Sequence, residues 1–153
     1  MTQESRKNSK FSTEQSIAYL IRDLTRQFSR TLQKDIAPYG ILLGQYHFLR
    51  VLWEQDGITQ RELAMAVGMK ESTTFTALAG MESLELVQRQ RDVGDRRKMI
   101  VTLTPKGKKL ESVLIPLAKA VNNKALQNFS DTETEQLRNL LGKLSHSLHT
   151  DDQ

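Results

Sequence analysis

The feature that most restricts the fold of this chain is a charged segment, DVGDRRKM, which spans Asp92 to Met99. It separates two short runs that are typical of β-strands, LVQRQR before it and MIVTLT from Met99 onward. In the second run Met99, Val101 and Leu103 occupy every other position, which is the side-chain period of a strand. Two such runs joined by a glycine-containing turn predict a β-hairpin with a strongly charged tip.

Two helical segments that meet at a glycine precede this hairpin. The residues Thr59-Gln60-Arg61-Glu62 match a capping box, in which the threonine and glutamate side chains bond backbone N–H groups of the first turn. The short helix that they open is predicted to end at Gly68 and to bury Leu63, Ala64 and Val67. A second helix is predicted from Lys70 to Leu84, with an inner face of Phe75, Leu78, Met81 and Leu84. Two helices joined by a tight turn predict a helix-turn-helix.

The chain before this motif is predicted to contain an arm and two helices. Residues 1–11 are polar and lack the apolar core of a signal peptide, so we expect a disordered arm. Ser12 to Gln15 match another capping box, and apolar residues then recur every three or four positions, which predicts one helix over residues 12–37. Pro38 and Gly40 end it. From Leu42 to Glu54 the sequence is apolar except for a narrow strip, so we expect a buried helix whose polar residues are His47, Arg50 and Glu54.

The chain after the hairpin is predicted to form two further helices over residues 105–150. Thr104-Pro105 provides an N-cap and a first-turn proline for a helix that reaches about residue 128, and Pro116 is expected to kink it. Ser130 to Glu133 match a third capping box. The last helix that it opens has one leucine-rich side, formed by Leu137, Leu140, Leu141, Leu144 and Leu148.

These elements predict a mainly α fold, a winged helix-turn-helix with a two-stranded β-hairpin wing, flanked by N- and C-terminal dimerisation helices. The winged helix-turn-helix lobe would span residues 38–104, between the helix of residues 12–37 and the helices of residues 105–150. The terminal helices bracket the centre in sequence and are not expected to cover each other's apolar stripes fully. We therefore expect a two-fold homodimer, in which a second copy covers the remainder.

Composition limits the classes of function. The formal net charge of +4 and the pI near 9.4 permit a polyanionic partner, although this excess is too small to indicate nucleic acid by itself. The absence of cysteine excludes disulfides, thiol catalysis and cysteine-ligated metals. No run approaches the length of a membrane span, so we predict a cytoplasmic protein without a membrane partner.

At this point the chain resembles the MarR family of transcriptional regulators. The resemblance rests on Asp95-Arg96-Arg97 followed by IVTLTPKG, residues 100–107, which is similar to the family's wing and to the start of its next helix. Thr59 to Ala64, Gly68 and Leu86-Val87 support it, and it covers nearly the whole chain after the arm. It implies a homodimer on a pseudo-palindromic site in double-stranded DNA, with recognition helices in successive major grooves and wings in the adjacent minor grooves.

The resemblance also assigns roles to the residues of the hairpin tip. Arg97 would enter the minor groove and Asp95 would orient it, because residues two apart on a strand point to the same side. A planar guanidinium suits the narrow, negative minor groove of A·T-rich DNA. Arg96 and Lys98 would contact phosphates, which provide affinity without sequence information. The alternative is a merely solvated charged loop.

The second helix of the helix-turn-helix departs from the family pattern. Relatives often carry basic residues along it, whereas Thr76, Gly80 and Leu84 stand at such places here, and Glu71 near its start is acidic. The candidates for DNA contact are Lys70, Ser72, Thr73, Thr74 and Thr76, whose hydroxyls can bond phosphates or base edges and whose methyls can touch thymine. Serine and threonine near a helix start are equally often only caps.

A candidate site for a small effector follows the first helix. Its members are aromatic or basic: Tyr39, Tyr46, His47, Arg50 and Trp53. Aromatic walls with a cation suit an aromatic or phenolic acid, and many family members are released from DNA by such ligands. The alternative is that Tyr46 and Trp53 belong to the core with Leu42 and Leu49.

Other chemistry is not favoured by the sequence. His146 and His149 lie three apart near Asp151, but the end of a helix frays and cations there favour the helix dipole, so we predict no metal site. No nucleophile elbow, phosphate loop or clustered carboxylate pair appears, so we predict neither catalysis nor a cofactor. The predicted function is a DNA-binding repressor released by a small aromatic ligand. The alternative is a winged-helix module that binds protein.

Overall fold

The computed structural model describes residues 12–149, so the predicted arm of residues 1–11 lies outside the described residues. The chain consists of two compact units, the first reaching Leu117 and the second beginning at Ala118. The helices and strands are α1 (Ile17–Ile36), α2 (Leu43–Glu54), β1 (Ile58–Thr59), α3 (Gln60–Val67), α4 (Glu71–Ser83), β2 (Val87–Arg91), β3 (Met99–Leu103), α5 (Pro105–Lys109), α6 (Glu111–Ala125) and α7 (Asp131–His149). The predicted mainly α, winged helix-turn-helix fold is confirmed.

The start of α1 differs from the prediction. Ser12 makes no side-chain cap hydrogen bond, and Thr13–Gln15 form a single 3-10 turn. The N-cap of α1 is Ser16, whose side chain accepts a hydrogen bond from the backbone N–H of Tyr19 at 3.4 Å. The helix ends before Gly40, which adopts the left-handed φ of 73° that favours glycine.

The core of the first unit forms around α2. Phe48, Leu49 and Leu52 are buried, while His47, Arg50 and Glu54 lie on the exposed strip predicted from the sequence. One side of α2 therefore faces the hydrophobic core, and the other side faces solvent.

The helix-turn-helix is formed by α3 and α4. The capping box at its start is confirmed, since Thr59 Oγ1 accepts from the Glu62 N–H at 3.1 Å and the Glu62 carboxylate accepts from the Thr59 N–H at 2.8 Å. Gly68 ends α3 with a left-handed φ of 73°. The turn at this glycine lets the chain reverse into α4 without steric cost.

The inner face of α4 is confirmed at Leu78 and Met81 but not at the other two predicted positions. Its buried residues are Thr74, Leu78 and Met81, whereas Phe75 and Leu84 are exposed. Counting back from Leu78 and Met81 by four and seven residues gives position 74, so the helical period places the threonine inward. Phe75 lies on the flank of the helix that faces β2.

The predicted hairpin of β2 and β3 is confirmed, with Val87 opposite Leu103 and Arg91 opposite Met99. The sheet has a third strand that the sequence did not reveal, because β1 pairs with β3 through Ile58 and Thr59 and gives the order β1-β3-β2. Two residues are too few to show an alternating pattern. This strand connects the start of the helix-turn-helix to the base of the wing.

The helices after the sheet follow the predicted caps but not all the predicted bounds. Thr104 caps α5 by accepting from the Gly107 N–H at 3.0 Å, and the helix breaks at Leu110, while α6 continues through Pro116 and ends at Ala125. The capping box that opens α7 is confirmed by two hydrogen bonds between Ser130 and Glu133. No residue of α7 is buried. Within residues 12–149, no helix combines the length and the apolar character needed to cross a membrane.

Candidate DNA-binding surface

The loop between β2 and β3, residues 92–98, is held by its own backbone. The Asp92 N–H donates to the Lys98 carbonyl at 2.9 Å, which closes the loop at its base, and the Lys98 N–H donates to the Asp95 carbonyl at 2.9 Å. The Arg91 guanidinium donates to the Arg96 carbonyl at 2.9 Å. These bonds give the tip a defined shape, so its side chains project from a fixed frame.

Asp95 holds Arg97 with two parallel hydrogen bonds. Arg97 Nε lies 3.0 Å from Asp95 Oδ1, and a terminal guanidinium nitrogen lies 3.1 Å from Oδ2. The Arg97 backbone N–H also donates to Oδ1 at 3.1 Å. The predicted pairing is therefore present, but its basis is a turn rather than the alternation of a strand, since both residues lie in the loop.

The pair carries no net charge, but it keeps the Arg97 guanidinium ionised and exposed at the tip. Hydrogen bonds from Arg97 lower the pKa of Asp95, and the same contact raises the pKa of Arg97, so both groups stay ionised at neutral pH. The Arg97 side chain is 91% exposed. The bidentate contact fixes its orientation while most of the guanidinium faces solvent.

A cleft of about 630 Å³ separates the wing from the helix-turn-helix. Asp95, Arg97 and Lys98 line one side, and the starts of α3 and α4 line the other with Arg61 and Glu71. The side chains of Arg96 and Lys98 are exposed. Cations on the wing therefore border an open groove beside the second helix of the motif.

The structure separates the candidate residues of α4 into two groups. Lys70, which is the N-cap, and Ser72, Thr73 and Thr76 are exposed. Thr74 is fully buried, so its side chain does not reach the surface, and its assignment as a DNA contact is corrected. Among residues 12–149, the side-chain hydroxyl of Thr74 finds no hydrogen-bond partner.

Arg89 joins the wing to the helix-turn-helix and was missed by the sequence analysis. Its guanidinium lies 2.7 Å from Glu82 and 3.2 Å from Gln60 Oε1, and it stacks over the Phe75 ring at 4.7 Å from the centroid. The Arg89 contact lowers the pKa of Glu82, which stays ionised. Alternation along β2 was the available signal, because Arg89 shares the inward face of Val87 and so needs a partner there.

Comparisons with known proteins identify the family. Residues 41–99 match the model of the MarR family. The chain is 30% identical over 131 residues to the HTH-type transcriptional regulator BilQ of Clostridium symbiosum, which is 86% of this chain and 91% of that protein. A MarR transcriptional regulator from Methanosarcina mazei superimposes with a TM-score of 0.82 at 34% identity, over 88% of this chain and 96% of the other. The chain belongs to the MarR family.

Membership decides between the two predicted classes of function. The MepR–DNA complex of Staphylococcus aureus matches with a TM-score of 0.81 at 26% identity, over 86% of this chain and 98% of that one. This MarR-family protein is a DNA-binding transcriptional regulator, and the alternative of a protein-binding module is set aside.

The five candidate effector residues of this MarR-family protein do not share one environment. Tyr46 is buried and meets Trp53 edge-on, with ring centroids 6.1 Å apart. The Trp53 indole donates to the Gly107 carbonyl at 3.0 Å, so it packs α2 against α5. Arg50 pairs with Glu54 at 2.6 Å. The core interpretation therefore holds for Tyr46 with Leu49, whereas Trp53 is half-buried against α5 and Leu42 is exposed.

The two other members lie nearer the surface. Tyr39 and His47 are exposed, and the His47 ring meets Tyr46 edge-on at 5.7 Å between centroids. Partial desolvation lowers the pKa of His47, so the imidazole is neutral at pH 7.

Between residues 12 and 149 no cluster of three or more histidine, aspartate or glutamate side chains is arranged to hold a metal ion.

Proposed function

We propose that the protein acts as a homodimeric repressor that binds a pseudo-palindromic operator, with α4 in the major groove and Arg97 in the adjacent minor groove. The bidentate contact between Asp95 and Arg97 carries the proposal. An exposed guanidinium held in one orientation suits the narrow minor groove of A·T-rich DNA, where the negative potential is strongest. A solvated loop does not need a carboxylate to orient its arginine.

The remaining cations of the wing support phosphate contacts. Arg96 and Lys98 flank Arg97 in the same loop and are exposed. Lys70 stands at the N-terminus of α4, where backbone N–H groups and the helix dipole also attract a phosphate. Such contacts fix the position of the protein on the duplex, and they make binding depend strongly on salt.

The dimer is supported by the apolar surface of α1. Ile17, Leu20, Leu24 and Phe28 recur along this helix at steps of three or four and are exposed. A second copy would cover them and place two recognition helices on one face of DNA, about 34 Å apart. A dimer seated across a promoter excludes other proteins from it, so repression is the mode that we propose.

Release by a small aromatic acid completes the proposal. Its binding place would be the exposed strip of α2, where Arg50 and His47 lie beside Tyr46. The Arg50–Glu54 pair is itself exposed, so a carboxylate ligand could replace Glu54 as the partner of Arg50. Trp53 is not included, because its indole N–H is already bonded to Gly107.

Fluorescence anisotropy on DNA selected from genomic fragments tests the proposal through two neighbouring variants. Arg97→Ala is expected to weaken binding about tenfold to a hundredfold and to remove the preference for A·T pairs at the minor-groove position. Arg96→Ala removes the same charge from the same loop, and should weaken binding to all sequences equally and reduce the salt dependence.

Equal effects of the two variants on sequence preference would contradict the assigned role of Arg97. The same complex, titrated with small aromatic acids, tests release. Dissociation by such an acid that survives Arg50→Ala would contradict the proposed ligand place.

A further inference from the structure

We infer that α4 recognises its operator mainly through the C5-methyl groups of thymine, which contact the ring of Phe75 and the methyl groups of Thr73 and Thr76. The inference rests on the proposed placement of α4 in the major groove. It specifies what the helix recognises there: apolar base edges rather than the hydrogen-bonding edges of purines.

The side chains of α4 exclude the usual recognition of purines. Guanine is recognised by arginine or lysine and adenine by asparagine or glutamine, each through paired hydrogen bonds. The sequence of α4, ESTTFTALAGMES, contains none of these four residue types, and Lys70, its N-cap, is assigned to a phosphate. Serine and threonine hydroxyls bond several bases alike, so they discriminate weakly. The thymine methyl is the apolar group that the major groove offers, and apolar side chains recognise it.

Phe75 is the large apolar side chain that α4 exposes. Every residue from Glu71 to Ser83 is described, and among them Phe75 alone combines a large hydrophobic side chain with exposure, at 55%. Thr76 is exposed directly after it, and Thr73 is exposed on the other flank of the same side of the helix, opposite the buried Thr74, Leu78 and Met81. An exposed phenylalanine costs free energy in water, and contact with another apolar group recovers it.

The Phe75 ring is held in place before any DNA arrives. The Arg89 guanidinium covers one face at 4.7 Å from the centroid, and Arg89 is itself fixed by Glu82 at 2.7 Å and Gln60 at 3.2 Å. The rest of the ring remains accessible. A side chain that is already ordered loses little conformational entropy on binding, so its contact contributes more to affinity.

Gly80 leaves one position on the exposed side of α4 without a side chain. A Cβ atom at this position would meet no atom within 4 Å, so close packing does not explain the glycine. The residue is exposed one turn beyond Thr76. The absence of a side chain lets the backbone of α4 approach the floor of the groove, which short threonine methyls need in order to reach a base.

A purely structural role for Phe75 makes a different prediction. If the ring only shields the Arg89–Glu82 ion pair, its removal would lower stability and weaken binding to every DNA alike. It would leave the response to thymine methyls unchanged. The test therefore measures discrimination between two DNAs rather than affinity for one.

The experiment replaces thymine by deoxyuridine in the selected operator, one half-site position at a time, and measures anisotropy. Deoxyuridine lacks only the C5-methyl group, while the pairing and the O4 acceptor stay. The wild-type protein is expected to lose about fourfold in affinity for each methyl that it contacts. Phe75→Ala should bind thymine DNA more weakly and lose most of this discrimination.

Two further variants keep the outcome decisive. Thr76→Ser removes one exposed methyl and keeps the hydroxyl, so it tests the inference even where Phe75→Ala is poorly folded, and it should lose discrimination at one position. Arg97→Ala should weaken binding to thymine and deoxyuridine DNA by the same factor, because the methyl lies in the other groove. Specific binding that ignores the methyl groups, or full discrimination by both Phe75→Ala and Thr76→Ser, overturns the inference. Neither result affects the proposed role of Arg97.

Discussion

Two buried threonines show that the effect of a hydroxyl on stability depends on its hydrogen-bond partners. Thr104 Oγ1 donates to the Glu85 carbonyl at 2.5 Å and accepts from the Gly107 N–H at 3.0 Å. Thr74 is fully buried, and in the part of the chain that the structure describes its hydroxyl has no hydrogen-bond partner. A buried hydroxyl that loses its water without gaining a hydrogen bond destabilises the folded state.

Replacing each threonine by valine, which has nearly the same shape, should therefore have opposite effects. Thr74→Val is expected to raise the free energy of unfolding by about 1 kcal/mol, and Thr104→Val to lower it by about 1–3 kcal/mol. Urea unfolding of the two variants measures both changes. A loss of stability in Thr74→Val would mean that its hydroxyl has a partner in solution. Binding of Thr74→Val to DNA should match the wild type, because the side chain is inaccessible.

At this scale the sequence predicted local pairs better than helix phase. The pairing of Asp95 with Arg97 was implied by the resemblance to the MarR family, and it forms within one loop rather than along a strand. The burial of Thr74 in place of Phe75 did not follow, because choosing the more apolar of two neighbours ignores the phase that Leu78 and Met81 set. The contacts of Arg89 depend on three separate elements, so no local pattern could show all of them.

At the scale of elements, the junction from α4 to β2 is the strained point of the DNA-binding lobe. Glu85 has a φ of 59°, and within residues 12–149 it is the one residue other than glycine with a positive φ. The Leu86 N–H donates to the Met81 carbonyl at 2.9 Å and the Glu85 N–H to the Glu82 carbonyl at 2.9 Å. This helix ending places its left-handed residue where glycine is usual, and another residue there costs about 1 kcal/mol.

Glu85→Gly is therefore expected to stabilise the protein by up to about 1 kcal/mol, since glycine adopts this conformation without strain. In thermal unfolding this corresponds to a rise of roughly 2–4 °C in Tm. Glu85→Ala is the matched control, because it removes the same side chain but keeps the Cβ atom that causes the strain. An equal rise in both variants would place the cost in the glutamate side chain rather than in the backbone.

The elements themselves were predictable where a cap and a long apolar period coincide. The capping boxes at Thr59 and Ser130 both form, and the helices that they open have the expected starts. The same pattern at Ser12 does not form, because Ser16 lies one turn closer to the apolar stripe and caps the helix instead. The helix break at Leu110 contains neither glycine nor proline, so no helix-breaking residue in the sequence predicted it.

At the scale of the whole molecule, the apolar surface of α1 supports the proposed homodimer. Leu24 is 52% exposed in the middle of a stripe that also exposes Ile17, Leu20 and Phe28. Contiguous apolar surface of this kind marks an interface. In the proposed dimer on two half-sites, such an interface would also set the spacing of the recognition helices.

Leu24→Asp tests this interface without disturbing the core, since the side chain is already half exposed. A charge placed in an apolar contact should move the dimer to monomer at micromolar concentration, as measured by sedimentation equilibrium. The wild-type Tm should rise with protein concentration, because a dimer is stabilised by mass action, and the Tm of Leu24→Asp should not. Val93→Asp introduces the same charge at the exposed tip of the wing and should leave the dimer intact. A wild-type protein that sediments as a monomer, or a Leu24→Asp variant that remains a dimer, would exclude this face. DNA binding provides a second readout. Loss of the dimer should lower the affinity for a full operator far more than the affinity for a single half-site.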